Sequence, residues 1–231
     1  MAKEKIYTIP VNDAFHSDHD CPLCELARVA DQNMLEYYLG PSMMEFDVRQ
    51  STNQHGFCGE HLTKLYNSQK NRLGLGLMMH THMKEQLPQL NKELTKVIPD
   101  AKRGFFAGKN KENYKDNLLR LAASILEDVE DCVICERIAF TLDRYLDVIF
   151  WQFFNEDKFR KAFDACDGFC RPHLATLLEG AAKYLKQDEA LIFLSSLAEK
   201  QAAIGDQLIE DVEWFTLKFD YRNKDKPWGR S

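Results

Sequence analysis

The stretch HDCPLC at 19–24 is answered by EDCVIC at 130–135, and GFCGEHL at 56–62 returns as GFCRPHL at 168–174. An acid followed by Cys-x-x-Cys is thus written twice, and Gly-Phe-Cys-x-x-His twice after it. Cys21 and Cys24 map onto Cys132 and Cys135 at an offset of 111, and Cys58 and His61 onto Cys170 and His173 at 112. Between the motifs the two halves differ, so the pattern reads as an old internal duplication rather than a tandem array.

Three thiolates and one imidazole suit a tetrahedral zinc ion, which takes soft sulfur and borderline nitrogen in a closed set of four. The predicted metal ligands are therefore Cys21, Cys24, Cys58, His61, Cys132, Cys135, Cys170 and His173, holding two zinc ions. An iron–sulfur cluster is the rival metal, because sulfur-rich sets suit it as well. The plainer alternative is a set of buried cysteines or reducible disulfides. No catalytic residue is assigned, since no Ser–His–Asp set or Gly-rich phosphate loop is recognisable, and LGLGL at 73–77 lacks the further glycine of a dinucleotide fingerprint.

Helical periodicity fills the sequence around these motifs. One helix is predicted from the first CxxC until Gly40-Pro41 stops it, a shorter one over 42–51, and a long one after GFC, with Leu62, Leu65, Leu73, Met83, Leu87, Leu90 and Leu94 on its apolar seam and a kink at Pro88. The second half repeats this over 132–154, 158–165 and from Pro172 to about 218. No segment reads as a strand, so the predicted fold is all-α. An 18-residue helix climbs ~27 Å at ~1.5 Å per residue. A return helix and two loops are expected to bring the chain back to its starting level. Each copy should then close its own four-ligand site, its CxxC meeting its own CxxH.

The expected organisation is a first metal-binding repeat at 1–100, a basic linker at 101–113, a second repeat at 114–217 and a tail at 218–231. With 45% hydrophobic residues among 231, a sizeable core is available. The N-terminal stretch lacks the apolar segment of a secretory signal, and no run approaches the ~20 apolar residues of a membrane helix. The expectation is a cytoplasmic protein, where Cys-x-x-Cys favours metal over disulfide. Charge is uneven: residues 1–60 carry 4 Lys and Arg against 10 Asp and Glu, residues 61–120 carry 12 against 5, and the rest 14 against 21. A net charge of −6 disfavours general nucleic-acid binding, although the middle is basic.

Outside the motifs, Cys166 reads as a small buried residue, since its counterpart in the first copy is Gln54. His16, His19 and His55 read as solvent or loop residues. His80 reads as a core histidine on the apolar seam, and the tail FDYRNKDKPWG at 219–229 as docking back on the bundle.

With the doubled CxxC…GFCxxH motif and that tail, the chain resembles an uncharacterised bacterial family, a domain of unknown function. The resemblance implies a soluble bacterial protein and supplies no activity. The reading is a helical zinc scaffold that presents a surface to a protein partner. A metal–thiolate enzyme or sensor is the alternative, and a nucleic-acid binder the third.

Overall fold

A computed structural model describes residues 7–98 and 114–228. Among them the chain is all-α, with no strand. The helices are α1 Thr8–Phe15, α2 Pro22–Leu39, α3 Phe46–His55, α4 Gly59–Asn67, α5 Arg72–Lys96, α6 Tyr114–Glu130, α7 Val133–Asn155, α8 Asp157–Ala165, α9 Arg171–Tyr184 and α10 Gln187–Leu217, with 3-10 turns at Pro41–Met44 and Tyr221–Asn223. The predicted linker at 101–113 lies outside the described residues.

Each long helix predicted after a GFC motif is two helices. In the first half, Gln69 and Asn71 adopt positive φ, which breaks the chain between α4 and α5. Asn71 then caps α5: its side chain accepts from the Gly74 N–H and donates to the Leu39 carbonyl. In the second half, Lys186 starts α10, where the Glu189 carboxylate accepts the Lys186 N–H at 3.0 Å.

The break resets the helical register. In α5 the buried residues are Gly74, Leu75 and Met78, whereas the predicted seam residue Leu73 is 77% exposed and Met83, Leu87 and Leu94 are exposed too. The histidine that follows the Leu75–Met78 stripe at helical spacing is His82. His80, predicted to be a core residue, is exposed.

Compactness divides the chain into Met1–Val29 with Thr141–Ser231, and Ala30–Phe140. The first unit is built on phenylalanine. Phe153, Phe163 and Phe193 meet at ring-centroid distances of 4.9–5.5 Å, and Phe15 of α1 packs on Phe159 at 4.8 Å. Edge-to-face pairs of this kind add to the gain from simple burial. The second unit has a smaller core of Tyr38, Leu39, Met43, Val48, Leu65, Leu75 and Met78, joined by Cys132, Val133 and Ile134. At the C-terminus the Lys218 ammonium is buried among the carbonyls of Asn223, Lys224 and Lys226, and Trp214 donates to Pro227. The tail folds back on the end of α10.

Candidate metal centres

Both GFC turns depend on a glycine. Gly56 has φ +68° and Gly168 φ +120°, conformations L side chains rarely adopt, and a Cβ would collide with His82 in one case and Ile204 in the other. These turns deliver Cys58 and Cys170 to the N-cap positions of α4 and α9 with nearly the same backbone, φ/ψ −63/164° and −66/157°. The following histidines, His61 and His173, lie in the first turns. The other cysteine pairs open α2 and α7, where the Cys21 carbonyl accepts from Cys24 N–H at 3.0 Å and the Cys132 carbonyl from Glu136 N–H at 3.0 Å. All eight ligands therefore sit at helix starts, where free N–H groups favour thiolate charge.

The eight predicted ligands come together as two quartets, but each CxxC partners the CxxH of the other copy. One group is Cys21, Cys24, Cys170 and His173, and the second is Cys58, His61, Cys132 and Cys135; within each, the ligand atoms lie within 4.8 Å of one another. The expectation that each copy closes its own site is corrected. The reason lies in how the chain divides: α2 and α7 each run from one compact unit into the other, so Cys21 and Cys24 belong to the unit of Cys170 and His173, and Cys132 and Cys135 to that of Cys58 and His61.

In the first centre, His173 Nδ1 lies 3.5, 3.2 and 3.2 Å from the sulfurs of Cys21, Cys24 and Cys170, and Cys24 Sγ lies 3.6 Å from Cys170 Sγ. In the second, His61 Nδ1 lies 3.2, 3.4 and 3.3 Å from Cys58, Cys132 and Cys135, with Cys58 Sγ 3.8 Å from Cys135 Sγ. Burial and the crowding of neighbouring sulfurs push the thiols of Cys24 and Cys135 up to about 12. Such a cluster resists becoming three thiolates unless a cation takes the place of the protons. Each quartet could hold one metal ion.

The second centre has supports the sequence did not disclose. His61 Nε2 meets Asp31 Oδ1 at 2.9 Å, and Asp31 Oδ2 accepts from Lys64 Nζ at 2.9 Å. Burial pulls the Lys64 ammonium down, but Glu60 and Asp31 outweigh it and hold it above its ordinary value. Val133 N–H donates to the Gly56 carbonyl at 3.2 Å, and His55, predicted to be a loop residue, meets Asp131 at 2.8 Å. These contacts join the two ligand-bearing turns. Asp31 could not be picked from the chain because it lies 30 residues from His61 and belongs to no motif.

The remaining histidines stay apart from both centres: His16 meets the Asn12 carbonyl, His19 pairs with Glu25, and His82 Nδ1 meets the Asn53 carbonyl at 2.9 Å with its ring against Gly56. Cys166 is half-buried and donates to the Phe163 carbonyl at 3.2 Å.

Fold and site together define a class: an all-α protein with two groups of three cysteines and one histidine that could bind metal. The chain belongs to a family of unknown function, DUF6062, whose model matches residues 2–231. Comparison with curated proteins and with solved structures found no match.

Proposed function

We propose that the protein is a non-catalytic helical scaffold stapled by two structural zinc ions, presenting a surface to a protein partner. The observation that carries this is the closure of each quartet by protein atoms drawn from segments more than 70 residues apart. A tetrahedral ion with Zn–S ~2.3 Å and Zn–N ~2.05 Å sets edges of ~3.8 Å between sulfurs and ~3.5 Å between sulfur and nitrogen. The separations of 3.6 and 3.8 Å between sulfurs and 3.2–3.5 Å between sulfur and nitrogen accord with that figure. A polynuclear cluster spreads its ligands around two or more irons, so ligand atoms all within 4.8 Å of one another favour a single ion over the iron–sulfur alternative. With four protein ligands there is no position for the water or substrate that catalytic zinc needs.

Cys166 lends the redox reading no support, because burial raises its thiol pKa and so disfavours the reactive thiolate. Among the described residues no helix is long and apolar enough to cross a membrane. A long helix, two shorter ones and a long one follow each CxxC, an order that supports an origin by duplication of the sequence halves. Elemental analysis and an absorption spectrum of anaerobically purified protein test the proposal. Two zinc per chain and no visible absorption are expected; iron with visible absorption would replace zinc by the redox reading.

A further inference from the structure

We infer that Asp31 is a positioning residue for the second centre, and that the two centres therefore hold metal unequally, the Cys21–Cys24–Cys170–His173 site releasing its ion first. This rests on the zinc reading and deepens it.

Both histidines face their sulfurs through Nδ1, so the other ring nitrogen carries the proton and can donate. In the second centre that proton goes to Asp31 Oδ1 at 2.9 Å, and Asp31 is itself fixed by Lys64 at 2.9 Å. A carboxylate in this place locks the tautomer that leaves a lone pair on Nδ1, holds the ring in plane with the ion and makes the imidazole a stronger donor. His61 is only 6% exposed, so little water competes for the bond. Among the described residues, His173 meets only the three sulfurs.

Exposure points the same way from separate residues. Each centre has one exposed cysteine, Cys24 and Cys135, but the second buries two ligands, Cys132 and His61, where the first buries Cys21 alone and leaves its His173 half-exposed. A chelator removes an ion by engaging it as ligands detach, and a ligand open to water detaches most readily. One centre therefore suits a permanent staple. The other suits an exchangeable site that responds to the supply of zinc.

The test is release of zinc from the loaded full chain to an excess of the chromophoric chelator 4-(2-pyridylazo)resorcinol under reducing conditions. Two phases of one equivalent each are expected, at least ~10-fold apart in rate, since outer carboxylate partners change metal affinity ~10–100-fold. Cys24→Ser should abolish the fast phase and Cys58→Ser the slow one. Asp31→Asn should speed the slow phase by ~10–100-fold and leave the fast phase alone. In a Cys24→Ser background loaded with cobalt(II), Asp31→Asn should also shift the visible ligand-field bands, which a purely structural role would leave in place. If Asp31→Asn fails to fold, the order of release in the wild type, assigned by the cysteine variants, still decides. Two equivalents leaving together, or the slow one vanishing with Cys24→Ser, would overturn the inference and leave the zinc reading standing. A chain that binds no zinc would overturn both.

Discussion

Among the described residues, the core cluster of residues 1–29 and 141–231 packs 20 buried side chains around phenylalanines, whereas that of residues 30–140 packs 10, Cys132 and its neighbours Val133 and Ile134 among them. The metal centres are reinforced in the opposite order. The unit with the rich core leaves His173 without a carboxylate among the described residues, while the unit with the thin core gives His61 a half-buried, ion-paired one. Small cores seldom stabilise a domain unaided, and metal sites commonly make up the difference. The contrast teaches that similar ligand quartets in one chain need not do equal work.

Removal of both ions should break this symmetry most visibly. Metal binding by small zinc modules contributes ~10 kcal/mol or more of folding energy, against a net domain stability of ~5–15 kcal/mol. Stripping with a strong chelator under reducing conditions should unfold the second unit and only loosen the first. Amide exchange is the measurement: protection should vanish over 30–140 and persist across α8, α9 and the first half of α10. Equal loss in both units would erase the comparison.

The next largest effect lies in the core. Phe163→Ala removes a fully buried ring that touches Phe153, Phe169 and Phe193. A loss of about 3–5 kcal/mol is expected by chemical denaturation, confined to the first unit, with two zinc still bound. Loss of the second centre's zinc in this variant would show that the units are not independent.

The crossed ligand pairing can be read from stoichiometry. Cys58→Ser with Cys132→Ser should cost one zinc equivalent, because both belong to one centre. Cys58→Ser with Cys24→Ser, a pair from a single copy, should cost both. The reverse pattern would restore sites closed within each copy.

The smallest effect concerns the turn itself. Gly56→Ala forces a Cβ to within 2.7 Å of the His82 ring at φ +68°, ψ −151°. Such a conformation costs about 1–3 kcal/mol for a non-glycine residue. Thermal denaturation should show that loss, and Gly56→Ala/His82→Ala should recover only the part due to the collision.

Much of this was legible in the chain. The eight clustered cysteines and histidines, the all-α class and the stop at Gly40-Pro41 follow from local chemistry: thiol and imidazole spacing, 3.6-residue periodicity and the backbone limits of proline. The run NSQKN at 67–71 carries the signal for the break between α4 and α5, since asparagine tolerates left-handed backbone and caps helices, and only an unbroken helix would place His80 on the apolar seam. No local pattern could reveal α1, whose Val11, Ala14 and Phe15 are buried only because α7 and α8 offer a phenylalanine surface.

The pairing of the motifs was beyond sequence for a deeper reason. Two copies of CxxC and two of CxxH are locally equivalent, so spacing alone permits either assignment, and ligand chemistry is satisfied by both. What decides is the tertiary fold: Cys21 and Cys24 fall in the compact unit that holds Cys170 and His173, and Cys132 and Cys135 in the one that holds Cys58 and His61. The same holds for Asp31, an ordinary helix acid in the sequence that becomes the partner of His61 only when α2 and α4 pack together. The sequence by itself determined which residues carry thiols and imidazoles at metal-ligand spacing, because that is a property of side chains; the tertiary structure alone decided which of them come together, because that is a property of distances.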